Sequence, residues 1–217
     1  YLSKDGISSL EERTKAIRDF PKPETVIAMR SFLGMVNYCR RFLPNLSGTL
    51  APLTDMSSGP KKKRLTWSQE ADSAFELIKQ DIMSMTSLRY PDNSLPLTLT
   101  TDASNIAIGA VLMQVRDNNP EPLEFYSHKL SSPQTRYSTF DRELLGLFLS
   151  VKHFEYMLIG RSSTVYTDHK PLIQIFQMKN PSPRQQRQIS YLSQFDIEVK
   201  FISGADNVVA DCFSWVE

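Results

Sequence analysis

The stretch that decides the fold is "LPLTLTTDASNIAIGAVLMQV", residues 95–115. Its first part places Leu95, Leu97 and Leu99 at alternate positions, the period of a half-buried strand. Its second part, "IAIGAVLMQV", is almost wholly apolar, as expected of a strand covered on both faces. Asp102 stands where the first of these strands meets a loop. An acid there is commonly a turn residue, and alone it signifies nothing more.

Downstream, "DNNP" (117–120) reads as a turn and "PLEFYSHKL" (122–130) as a third strand. "YSTFDRELLGLFLSVKHFEYML" (137–158) reads as one helix, with Phe140, Leu144, Leu147, Phe148, Val151 and Phe154 forming an apolar face. "STVYTD" (163–168) is a fourth strand, helical pieces follow around 171–178 and 184–194, and "FDIEVKF" (195–201) alternates strictly. That last strand should show one face to solvent. A terminal helical segment would carry Asp211. The fold class is therefore α/β, of the mixed-sheet α+β kind, with helices packed on the sheet.

Upstream, the pattern is helical. Ser9 with Glu12 makes a capping-box pair that opens a helix toward Phe20. A second helix from Thr25 to Arg41 has Met29, Phe32, Leu33, Val36 and Cys39 on one side, and Leu46, Leu50 and Leu53 suggest a shorter third. "SSGPKKKR" (57–64) has the composition of a linker, and "TWSQEADSAFELIKQDIMS" (66–84) that of a connecting helix. These shifts divide the chain into a helical region at 1–58, a linker and connecting helix at 59–94, and a sheet domain at 95–217.

No apolar run approaches the roughly 20 residues of a membrane span, and the two cysteines, Cys39 and Cys212, have no metal-like or redox-like spacing. A reduced, intracellular setting is the plain reading of such thiols. The net charge of +1 hides an asymmetry: residues 1–67 hold 12 Lys and Arg against 6 Asp and Glu, and the remainder 13 against 18. A basic front suits a polyanion. An acidic back half needs another cause.

Glu143 supplies a clue, because it lies within or beside an apolar stripe. A buried carboxylate is costly unless it is paired, protonated or bound to a cation. Pairing with Arg142 would be the bland solution. Yet Asp102, Glu143, Asp168 and Asp211 recur on a strand end, a helix, a strand end and a terminal helix, and that order is hard to attribute to chance. Four convergent acids would need hard cations, which selects magnesium, with manganese as a substitute. Two such ions can hold the attacking and leaving oxygens of a phosphodiester in line.

The blocks "LTTDASNIAIGAVL", "FYSHKLSSPQTRYSTFDRELLGLFLSVKHFEYML", "VYTDHKPL" and "RQQRQISYLSQFDIEVKFISGADNVVAD" resemble the ribonuclease H domain of gypsy-type LTR-retrotransposon reverse transcriptases. "IRDFPKPETVIAMRSFLGMVNYCRRFLPNLS" and "LTWSQEADSAFELIK" are similar to the thumb and connection that precede it. The resemblance implies a five-stranded ribonuclease H-like mixed sheet, two Mg2+ ions held by Asp102, Glu143, Asp168 and Asp211, and cleavage of the RNA strand of RNA–DNA hybrids. It also implies the remainder of the reverse transcriptase as a partner, and a cytoplasmic particle or the nucleus as location. The chain would then be a piece of a longer polyprotein, and whether it forms a homodimer is left open.

Candidate backbone contacts are Arg40 and Arg41 beside Tyr38 and Phe42, the run Lys61, Lys62, Lys63 and Arg64, and Arg184 and Arg187 in "SPRQQRQ". A solvated face is the alternative for each. No Tyr-x-Asp-Asp occurs, so polymerisation is not expected of this chain. After Asp211 the family usually continues Ala-Leu-Ser-Arg, whereas Cys212, Phe213, Ser214 and Trp215 stand here. That departure keeps a rival reading alive, a catalytically idle module that holds nucleic acid or a protein. His169 follows Asp168, and the alternation of a strand would aim it at the opposite face, which favours a structural hydrogen bond over a catalytic part.

Overall fold

Five strands form the central sheet: β1 (Leu97–Ala103), β2 (Ala107–Arg116), β3 (Asn119–Lys129), β4 (Ser163–Thr167) and β5 (Ile197–Phe201). Their spatial order is β3-β2-β1-β4-β5, with β1–β3 antiparallel and β4 and β5 parallel to β1. The computed structural model describes residues 2–3, 6–7, 11–85 and 87–203. Ser9, Asp211 and the residues after Asp211 lie outside the described residues.

Local chemistry accounts for the connections. Asp117 and Asn118 both take positive φ (49° and 63°), so the β2–β3 hairpin closes in the mirror-image turn that suits the twist of its strands. Helix α6 (Thr139–His153) starts at Ser138, whose hydroxyl accepts from Asp141 N at 3.1 Å. The stretch read as a single helix is broken at Phe154, where φ −92° and ψ 10° depart from helical values before the short α7 (Glu155–Leu158). The turn lets both Phe154 and Leu158 reach the core. Helix α8 (Pro183–Leu192) opens with Pro183 and a complete capping box between Ser182 and Gln185.

The front half packs α1 (Glu11–Arg18), α2 (Val26–Tyr38), the short α3 (Leu46–Thr49) and α4 (Ala51–Met56), and α5 (Gln69–Met83) around one core. Met29, Phe32, Val36 and Cys39 are fully buried there with Phe75 and Ile78 of the connecting helix. The helix read from Thr25 to Arg41 ends at Tyr38 and tightens into a 3₁₀ turn over Arg40–Phe42, a common way to finish a helix. The Gly-Pro-Lys run is fastened rather than loose: Ile27 N donates to Lys61 O and Val26 N to Lys63 O, which satisfies the open N–H groups at the start of α2.

The sheet is sandwiched. Leu97, Leu99, Ala110, Leu112 and Val165 face Leu144, Leu147 and Val151 of α6 and Phe154 just after it. Val111, Met113 and Phe125 point the other way and meet Phe42 and Leu88. So β2 is covered on both faces, as its unbroken apolar run predicts, and the helical front supplies the second cover. The edge strand β5 buries Val199, while Glu198 and Lys200 lie in solvent as the alternation predicts. Among the described residues no helix is long and apolar enough to cross a membrane.

Candidate metal centre

Three elements deliver the acids. Asp102 is the penultimate residue of β1, Asp168 follows β4 directly, and Glu143 lies in the second turn of α6. The parallel pairing of β1 with β4 matches Leu97 to Ser163 through Thr100 to Tyr166, an offset that carries Asp102 toward Asp168 at the same end of the sheet. Helix α6 crosses above that end. Gly146, one turn after Glu143, permits the approach: a Cβ there would lie 3.5 Å from Ile108 Cγ2 and 3.6 Å from Ala103 Cβ.

One carboxylate oxygen from each of Asp102, Glu143 and Asp168 lies within 4.8 Å of the others. Asp168 is exposed, Asp102 half-buried and Glu143 buried at 5% exposure, so the cluster reaches solvent at Asp168. Burial pushes the Glu143 carboxyl up to about 8, with the charges of Asp102 and Asp168 adding to the rise. Burial also raises Asp102, again helped by Asp168, and the Ala103 backbone offsets part of both shifts. Arg142 does not neutralise Glu143 by contact, for its Nη1 donates to Tyr137 O at 3.2 Å. Glu143 Oε2 is buried with no hydrogen-bond partner. An acceptor stranded beside two further acids is a donor set that a hard divalent cation fits.

The other sequence-derived candidates are spread out. Arg40 donates from Nη2 to Ser127 O at 3.4 Å, and Arg41 Nη2 lies 3.6 Å from Glu124 Oε2, both against β3. Lys61, Lys62, Lys63, Arg64 and Arg187 are exposed. Arg184 is engaged with Asp141 at 3.0 Å and lies 3.9 Å over the Tyr137 ring. His169 sits beyond the end of β4, so strand alternation does not govern it. Its ring tilts against Phe140 at 5.9 Å with Nε2 buried and unpartnered. His153 bonds Glu124 Oε1 at 3.1 Å and stacks on Tyr126.

A sheet of order β3-β2-β1-β4-β5 with carboxylates at the ends of β1 and β4 and on the covering helix is a ribonuclease H-like fold. Solved foamy viral protease-reverse transcriptase in complex with RNA/DNA hybrid shares it, with a TM-score of 0.75 at 21% identity over 95% of this chain and 29% of that one. Residues 92–195 match the family described as the RNase H-like domain found in reverse transcriptase. Along its whole length the chain is 35% identical to the retrovirus-related Pol polyprotein from transposon 297 of Drosophila melanogaster, covering 20% of that protein. It is 34% identical to that from transposon gypsy of the same fly, over 98% of the chain and 21% of the relative. It is also 33% identical to the transposon Tf2-3 polyprotein of Schizosaccharomyces pombe, over 99% of the chain and 16% of the relative. The chain thus carries the RNase H domain of a retrotransposon Pol polyprotein, and spans between about a sixth and a fifth of the length of those relatives.

Proposed function

We propose that this chain is a divalent-metal-dependent endoribonuclease that cleaves the RNA strand of RNA–DNA hybrids. The observation that carries this reading is the stranded Glu143 Oε2 within a cluster of three acids drawn from three separate elements. A pure scaffold gains nothing from a buried acid that its neighbours repel. Asp102, Glu143 and Asp168 are assigned as metal ligands, and Asp211 is carried over as a fourth by resemblance alone. Two magnesium ions, with manganese able to replace them, would neutralise the scissile phosphate and make a water nucleophilic near neutral pH.

The chain's own residues prepare that chemistry. Asp168, the exposed member, meets solvent and leaves the phosphate a way in. Glu143 holds a proton when the cluster carries no cation, and yields it on loading. The RNA 2′-hydroxyls would mark the strand to be cut. Arg40, Arg41, Lys61, Lys62, Lys63, Arg64 and Arg187 are assigned to the sugar-phosphate backbone, with the rest of the reverse transcriptase as the natural neighbour.

The test is cleavage of a labelled RNA–DNA hybrid in magnesium and in EDTA, beside an Asp102→Asn variant. Metal-dependent cutting of the RNA strand, lost in the variant, is the expected result. A hybrid that is bound but left intact in both magnesium and manganese would sink the enzyme reading in favour of a nucleic-acid-holding module.

A further inference from the structure

We propose that Asp141 and Arg184 form a positioning clamp for Glu143, and that Arg184 acts through this clamp rather than on a nucleic-acid backbone. The inference rests on the reading of Glu143 as a metal ligand. Both carboxylate oxygens of Asp141 are occupied. Oδ2 accepts from the Ser138 hydroxyl at 2.9 Å and from Arg184 Nη2 at 3.0 Å, and Oδ1 accepts from Gln185 Nε2 at 2.9 Å. Gln185 is itself the third residue of α8, and its Oε1 accepts from Ser182 N at 2.8 Å to complete the capping box. The guanidinium of Arg184 covers Tyr137, the residue just before the Ser138 cap, at 3.9 Å.

One carboxylate therefore ties the first turn of α6 to the first turn of α8, and the caps of both helices share it. The Asp141 side chain is only 17% exposed, and the charged partner strengthens its hydrogen bonds, although Arg184 itself reaches solvent. Asp141 is two residues before Glu143. Whatever fixes the rotation of α6 at this end fixes the direction in which Glu143 points. At the cluster Glu143 has only the hydrogen bond of the Ala103 backbone to orient it, because its Oε2 has no partner and Asp102 and Asp168 repel it. Further restraint has to come through the helix backbone, and the clamp supplies it from two residues away, alongside the Arg142–Tyr137 contact. Groups that orient a metal ligand from outside the ligand set typically matter about 10- to 100-fold in metal affinity.

A backbone contact and a clamp differ in what Asp141 should do. Removing an acid near a bound polyanion would leave hybrid affinity unchanged or raise it, whereas removing half of a clamp reproduces the loss of the other half. The experiment uses the full chain and its Arg184→Ala, Arg184→Lys, Asp141→Asn, doubly substituted (Arg184→Ala with Asp141→Asn) and Glu143→Gln variants. Mn2+ binding is measured by calorimetry without nucleic acid, well below each melting temperature, and hybrid affinity is measured in EDTA across a salt series.

We expect Arg184→Ala and Asp141→Asn each to weaken Mn2+ binding about tenfold, the double variant to be no worse, and Arg184→Lys to recover most of the loss. Hybrid affinity and its salt slope should not change. An Arg184→Ala variant that loses about one unit of salt slope, with Asp141→Asn unaffected, would overturn the clamp. So would a lowered melting temperature with Mn2+ affinity intact while Glu143→Gln loses it. If Glu143→Gln binds Mn2+ as well as the unsubstituted chain, the metal-ligand reading itself falls and the clamp with it.

Discussion

Burial, and after it the charges of Asp102 and Asp168, push the Glu143 carboxyl up to about 8, so the metal-free protein is expected to carry it protonated at neutral pH. Its native value of about 8 lies above the ordinary 4.5, so between these limits the folded chain binds more protons than the unfolded one. The stabilisation is therefore full below the lower limit and is lost as pH rises toward the upper one, at a slope on the order of 1 kcal/mol per pH unit. Asp102 contributes in the same direction. In EDTA, urea unfolding of the unsubstituted chain should show stability falling between about pH 5 and pH 8, and Glu143→Gln should flatten that fall. An equal slope in both proteins would show that Glu143 is not held neutral. The sequence announced this residue through its place beside an apolar stripe, since burial follows from helical period. It could not announce that Oε2 would be stranded, because Arg142, the obvious local partner, turns to the Tyr137 carbonyl instead. The ion pair of Arg184 was hidden for a related reason: a cation in a polar, proline-flanked run looks free, and its partner lies 43 positions away at Asp141.

At the scale of the element, the strands and their order of appearance follow from the sequence because each carries its own two-residue period or continuous apolar run, closed by visible turn chemistry. The break at Phe154 was not legible, since the apolar face continues across it and only the need to bury Phe154 and Leu158 bends the chain. Gly146 lies where α6 passes over Ile108 and Ala103 of the sheet. A Cβ there would make contacts of 3.5–3.8 Å with Ile108 and Ala103, which is ordinary packing, whereas a longer side chain would be driven into Ile108. Gly146→Ala should therefore stabilise the protein by roughly 0.5–1 kcal/mol through helix propensity and leave Mn2+ affinity unchanged. Gly146→Leu should destabilise by about 1–3 kcal/mol from overpacking and also weaken Mn2+ binding, because α6 would be lifted with Glu143 on it. Thermal unfolding and calorimetry on the two variants test this, and a Leu variant with native metal affinity would mean that the crossing distance does not set the site.

For the whole molecule, the unbroken apolar run of β2 demanded a second cover, but nothing in the sequence said that the helical front would be that cover. Phe42 does much of the covering: it is 5% exposed and packs with Leu88, Val111, Met113 and Phe125. Around it, Arg41 meets Glu124, Lys129 Nζ reaches Asp55 at 2.7 Å, and Ser47 N donates to Ser127 Oγ at 3.0 Å. Polar contacts of this kind fix register, while the apolar cluster supplies most of the free energy. The front half and the sheet should then unfold as one unit. Phe42→Ala should cost about 3–5 kcal/mol and lower the hydrogen-exchange protection of amides in α2 and β2 together. If β2 kept its native protection while α2 lost its own, the front would be an independent body resting on the sheet. A common loss has a consequence for substrate grip, because it means that Arg40 and the exposed Lys61–Arg64 run are held at fixed distances from Asp102. Their contribution to hybrid binding would then be geometric as well as electrostatic. Phe42→Ala, which removes no charge although it takes away the ring beneath the Arg41 guanidinium at 5.9 Å, should weaken hybrid binding while leaving its salt slope as it was.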